Sequence, residues 1–187
     1  MYRMFSERIV LFLSVIVSLL SVSCENHTAE ESTQVETGYF PIHTFFQREV
    51  DSLQRSATKV EKTVGERDES ETKTVTVGDW NTEMGAFLAV DLSKPAYINM
   101  FDVDSAANKI TYNAKSKDLD IQSLSISFNE HGEIEQVEIT KQEDNMLYQN
   151  EEKLLYIRGK EYSMNKQQQI LLLGSSQYQI VGRLVAN

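Results

Sequence analysis

Hydrophobic positions follow three patterns along the chain. Ile9 to Leu20, IVLFLSVIVSLL, is an apolar run of 12 residues relieved only by Ser14 and Ser18. It is shorter than the roughly 20 residues a helix needs to cross hydrocarbon. It follows Arg3 and Arg8 and precedes small residues, the order of a cleaved export signal. From Pro41 the pattern becomes helical: Phe46, Val50, Leu53 and Ala57 recur on one face with Ile42 and Phe45 beside them. Gln47, Arg48, Asp51 and Arg55 lie opposite, and proline suits a first turn because its missing N–H would be unpaired there. A second helix is predicted from Asp79, a residue type that caps helices, to about Leu92. Trp80, Met84, Phe87 and Leu88 form its stripe, and Lys94-Pro95 ends it.

Elsewhere the period is two. TKVEKTV and ETKTVTV alternate on either side of GERDES and predict a hairpin. Ile110, Tyr112 and Ala114 alternate, as do Leu124, Ile126 and Phe128, and FNEHGEIEQVEI predicts a hairpin with Gly132 at positive φ. NMLYQ, KLLYIRG, EYSM, QILLLG and QYQIVGRLV then read as short strands between turns. The predicted fold is α+β: two N-terminal helices packed on one face of a curved antiparallel β-meander of about 8–10 strands. A closed β-barrel with external helices is the alternative. Residues 1–23 are expected to be a signal peptide, 24–38 an anchor and tether, and 39–187 a single domain.

Charge narrows the partners. The chain carries a net charge of −10, and removing residues 1–23, with Arg3, Arg8 and Glu7, makes the remainder more negative. Such a surface repels nucleic-acid phosphate, so no nucleic-acid partner is expected. One cysteine permits no internal disulfide, and a domain of this length needs none to bury a core.

That cysteine sits at the end of the apolar run. Ser21-Val22-Ser23-Cys24 resembles a bacterial lipobox, with Ser21 where leucine is usual and Leu20 one place earlier. The resemblance implies cleavage between Ser23 and Cys24, a diacylglycerol on the thiol and a palmitate-type chain on the new amine. One acyl chain holds a protein only marginally, whereas two or three make a lasting anchor. Ser21 and Ser23 also fit an ordinary signal-peptidase site, which would leave a soluble protein with a free thiol. Residues 25–38, ENHTAEESTQVETG, are polar and acidic and read as a tether reaching roughly 45 Å when stretched.

Several segments, among them GYF after the tether, FFQREVDSLQ, VEKTV, KTVTV, DLSKPAY and LLYIRGKEYS, together resemble a family of uncharacterised outer-membrane lipoproteins from Bacteroidetes-type bacteria. The resemblance implies an outer-membrane location and brings no reaction with it. Glu25, Glu30 and Glu31 soon after the cysteine point toward surface export, but the periplasmic face stays open.

Catalytic patterns are sparse. His27, His43 and His131 are scattered, with no pair at metal-binding spacing, so no metal and no cofactor are expected. DVDSAAN at 102–108 lacks the glycine and closing glutamate of a calcium loop and reads as a turn. GSSQ at 174–177 reads as a hairpin connection rather than a nucleophile elbow. Trp80, Phe87, Tyr97, Phe101 and Tyr112 could line an apolar groove between helices and sheet, although a core seam is the commoner arrangement for residues at these spacings. The expected function is a lipid-anchored, non-catalytic binding or accessory module of the envelope. Its membrane partner is reached through lipid on Cys24, and an envelope protein or an apolar ligand is the further partner. A carrier of an apolar ligand such as a lipid is the second reading, and a hydrolase using a carboxylate pair the third.

Overall fold

The computed structural model describes residues 38–66 and 69–185. Contacts divide the chain into two units, Met1–Gln34 and Val35–Asn187, and the second contains every element described below. Its buried side chains form one continuous cluster, so this unit carries its own core and is a self-contained folding unit. No described helix is long and apolar enough to cross a membrane.

Helix α1 spans Ile42–Ser56, with Pro41 at its N-cap and Ala57 closing it in the left-handed region at φ 48. It buries Ile42, Phe45, Phe46, Val50 and Leu53, the stripe its spacing predicts. Strands β1 (Lys59–Glu66) and β2 (Glu69–Thr76) pair antiparallel from Lys59 opposite Thr76 to Glu66 opposite Glu69. Two single turns follow, α2 (Trp80–Glu83) and α3 (Gly85–Leu88), then a 3₁₀ turn at Pro95–Tyr97. The remaining strands are β3 (Phe101–Ala106), β4 (Lys109–Ala114), β5 (Ile121–Phe128) and β6 (Ile134–Asp144). They continue with β7 (Tyr148–Ile157), β8 (Glu161–Ile170) and β9 (Gly174–Val185). Among the described residues these form one antiparallel sheet in the order β2-β1-β9-β8-β7-β6-β5-β4-β3. The early hairpin therefore lies beside the last strand.

This corrects the expected architecture. Two N-terminal helices on a sheet do not form: among the described residues 54% are in strands and 18% in helices, with one helix of seven or more residues, so the sheet dominates. The predicted second helix starts where expected, the Asp79 carboxylate accepting from the Asn81 N–H at 2.9 Å and from the Thr82 hydroxyl at 2.7 Å. It stops at Met84, whose φ/ψ of −96/14 lies outside the helix, and resumes at Gly85. Glycine is a poor helix former, and the break lets Trp80, Met84 and Phe87 all become fully buried. The barrel alternative also fails, because β2 and β3 stand at the two ends of the sheet order and do not pair with each other. The expected strand KLLYIRG is part of a longer β7 that begins at Tyr148, while Asn145–Leu147 of the expected strand NMLYQ and Leu171–Leu173 of QILLLG form turns.

Cross-strand register identifies the covered face. Gly182, Tyr162, Tyr156, Val137 and Ile126 lie opposite one another across β9, β8, β7, β6 and β5. Directly opposed residues share a face, and α1 to α3 lie over this one. Phe46 packs its ring 5.5 Å from Tyr156 and 5.1 Å from Phe87. Ring-to-ring packing of this kind adds to the burial of large apolar area.

Candidate functional site

Two carboxylates dock the helical layer. Glu49 of α1 accepts from the Tyr156 hydroxyl at 2.7 Å and from Arg158 Nε at 3.1 Å. Glu83 of α2 accepts from the Tyr162 hydroxyl at 2.6 Å and from Lys62 Nζ at 2.8 Å. In each set one carboxylate meets one phenol and one cation, so its charge is matched and each of its oxygens accepts a bond. Burial, then the neighbouring carboxylate, pushes the Tyr156 and Tyr162 hydroxyls well above the ordinary 10.0. Burial and the bond to Asp120 do the same to Tyr97. These phenols stay protonated and donate to Glu49, Glu83 and Asp120.

That arrangement carries a pH dependence. Because folding raises these phenol pKa values, their contribution is complete below pH 10 and is lost as pH rises from there toward the folded values. Stability should fall by about 1.4 kcal/mol per pH unit for each such tyrosine. Urea midpoints measured across the alkaline range check this, and Tyr156→Phe should flatten the slope by one tyrosine's share. An unchanged slope would show that the clamp does not control alkaline unfolding.

The five aromatic candidates lie inside the core. Trp80 packs 6.1 Å from Tyr162, and Phe87 lies 6.2 Å from Tyr156. Tyr97, Phe101 and Tyr112 gather at the other end, where Tyr39 touches Phe101 at 5.6 Å and Tyr112 at 5.5 Å. All five are buried. The structure thus splits the set between two parts of a packed core. Trp80 Nε1 is buried there without an acceptor. Ser23 and Cys24 lie outside the described residues. His43 pins α1 to α3 through Leu88 O at 2.8 Å, and His131 sits in an exposed turn. Among the described residues no three His, Cys, Asp or Glu side chains gather as a metal site.

The distinctive surface is elsewhere. Neighbouring β5 and β1 end their pairing at Ile121–Lys141 and Glu66–Tyr178, but β6 to β9 continue alone. Across the row where they part company lie Lys141, Glu152 and Lys166, with Lys141 Nζ 3.1 Å from the buried Glu152. From Gln142 to Glu151 and from Gln167 to Val181 no residue is buried. At about 3.3 Å per residue, the six residues from Glu152 to Met146 carry this four-stranded paddle roughly 20 Å past that row.

A trough of about 580 Å³ crosses the paddle. Its lining comes mainly from the face opposite the helices: Gln142, Glu151, Gln167 and Gln177 form one row, and Gln149, Gln169 and Ser175 the next. Asn150, Gln168 and Ser176 complete it. Glu151 is the single charge and pairs with Lys153 Nζ at 2.8 Å. The Asn150 Oδ1 is buried with no hydrogen-bond partner, as is Asn165 Oδ1.

The helical and strand periods do not single out this trough. One signal in the chain does: around Gln149–Glu151 and Lys166–Gln169 both odd and even positions are polar, so neither face of the strand is marked for burial. Compared with known proteins, the chain matches no family model, no curated protein and no solved structure.

Proposed function

We propose that this chain is a lipid-anchored, non-catalytic binding module of a bacterial outer membrane, and that the paddle trough is its binding site for neutral, hydroxyl-rich ligands such as glycans. The lipobox resemblance at Ser21–Cys24 supports the anchor, and the family resemblance supports the membrane. The paddle supports the binding role. Ordering each residue costs roughly 1–2 kcal/mol of backbone entropy, and strands that bury neither face recover little of it. A sheet extended this far has no packing reason for its length.

The lining chooses the ligand class. Each carboxamide offers two donors and an acceptor, which matches hydroxyl groups that also donate and accept. The lining contains no lysine or arginine to hold an anionic polymer and no apolar side chain to hold a lipid. The volume lies in the range of small-ligand sites. The carrier reading would place its ligand at Trp80, Phe87, Tyr97, Phe101 and Tyr112, and those side chains fill the core instead. The hydrolase reading needs two converging free carboxylates, whereas Glu49 and Glu83 are each held by a phenol and a cation.

Calorimetry of residues 35–187 against neutral and acidic oligosaccharides tests the assignment. Binding of a neutral glycan is expected, weakened about tenfold in Gln167→Ala/Gln169→Ala if two net hydrogen bonds near 0.7 kcal/mol each are lost. Indifference to that double substitution would remove the trough from the account.

A further inference from the structure

The paddle ends in two adjacent apolar tips. The β6–β7 turn presents Met146 and Leu147, and the β8–β9 turn presents Leu171, Leu172 and Leu173. Met146 is 93%, Leu172 96% and Leu173 81% exposed. The Leu171 N–H donates to the Leu147 carbonyl at 2.9 Å, which joins the two turns into one patch. Their shapes are set beforehand. Asn145 Oδ1 accepts from the Leu147 and Tyr148 N–H groups at 2.9 and 3.0 Å. Leu172 is held at φ 71, a region leucine rarely adopts, before Gly174 at φ 90 returns the chain to β9.

We propose that this double tip inserts into the interfacial layer of a lipid bilayer of uncharged or zwitterionic headgroups. Charge selects that occupant. A quarter of the chain is Asp, Glu, Lys or Arg, yet none occurs from Gln167 to Gly182 or from Asn145 to Asn150. Three of the four strands bring only amide and hydroxyl groups to the base of the tip; the acidic exceptions, Glu143 and Asp144 on β6, accept from the Tyr148 hydroxyl and from Gln149 Nε2 at 3.4 Å, one row below the leucines. Anionic lipid would call for a basic collar; the tip has none, and the chain as a whole carries −10.

Shape agrees. A stable protein interface takes about 800 Å² from each partner, whereas five side chains on the narrow end of a four-stranded projection form a convex point. A bilayer deforms around such a point and a folded partner does not. The location of the membrane rests on the proposed anchor at Cys24, from which residues 25–37 leave roughly 45 Å of reach. The affinity of the tip itself does not rest on it.

The test uses residues 35–187, which lack the anchor, floated with phosphatidylcholine vesicles. The parent domain is expected to float, and Leu172→Asn/Leu173→Asn to reduce the vesicle-bound fraction about tenfold with an unchanged circular dichroism spectrum. Added salt should leave binding intact. In Leu172→Trp the new indole should be quenched by brominated lipid, whereas the core residue Trp80 of the parent should not. A parent domain that never floats, a double variant that floats equally well, or an unquenched Leu172→Trp would each overturn the proposal. So would a dimer in sedimentation velocity that depends on the leucines while vesicles go unbound, since it would give the tip to a second copy. Because this domain lacks Cys24 and the oligosaccharide titration contains no lipid, failure of the tip is distinguishable from failure of the anchor or of the trough.

Discussion

Gly182→Ala is expected to destabilise the domain by about 3 kcal/mol, at the upper end of the cost of overfilling a core. A Cβ at position 182 would stand 2.1 Å from the ring carbon of Tyr162 that bears the hydroxyl, and 2.3 Å from its neighbour. The ring lies flat across the glycine of the facing strand, in the manner by which aromatic residues rescue glycines in sheets. It cannot move away cheaply. Its hydroxyl donates to Glu83 at 2.6 Å, and its edge packs against Trp80. Displacing it therefore breaks the clamp that holds α2 to the sheet and leaves Glu83 with Lys62 alone. Urea unfolding followed by circular dichroism measures the loss. Tyr162→Ala should be costly alone, at about 3–5 kcal/mol as for other large core aromatics. In the double variant Tyr162→Ala/Gly182→Ala the two costs should fall well short of their sum, because one change removes what the other strikes. A Gly182→Ala protein within 1 kcal/mol of the parent would show that the seat over the glycine is not needed.

Cys24→Ala is expected to move the protein from the membrane fraction to the soluble fraction. A buried methylene contributes about 0.8 kcal/mol, so two or three acyl chains hold essentially every molecule and their loss releases it. Ser21 and Ser23 still fit a general signal-peptidase site, so export and cleavage should continue in the variant. Fractionation of cells, with metabolic labelling by a fatty acid, gives the readout. The parent should carry label and sediment with membranes; the variant should carry no label and pass largely into the soluble fraction. Unchanged sedimentation of the variant would mean that something other than a lipid on Cys24 holds the protein in place. If the paddle tip touches lipid as proposed, it should slow release only slightly, since five side chains at an interface do not match an acyl anchor.

The hairpins show how far local pattern reaches. In β1 and β2 the alternation of Val and Thr, with polar residues at the turn, specifies two strands and their antiparallel register, and the structure pairs them from Lys59–Thr76 onward. The 3.6-residue stripe from Ile42 to Leu53 likewise specifies α1, because one face had to find a core. The stripe after Asp79 misled for a physical reason. Spacing says which side chains need burial but not how long the segment stays helical, and a glycine in mid-segment let two short turns bury the same residues. The aromatic set left groove and core seam both open for a related reason: hydrophobicity marks a residue for the interior without saying whether a ligand or another ring will occupy the neighbouring space.

By itself, the sequence determined the apolar run that precedes a lone cysteine, the acidic balance, α1 and the succession of antiparallel hairpins, because each is a property of local composition or period. Only the tertiary structure decided that the first hairpin pairs with the last strand, that Glu49 and Glu83 meet Tyr156 and Tyr162 across more than seventy residues, and that β6 to β9 outrun their neighbours. Those facts depend on where strands end relative to one another and on contacts distant along the chain. A residue's own neighbours in sequence hold no record of either.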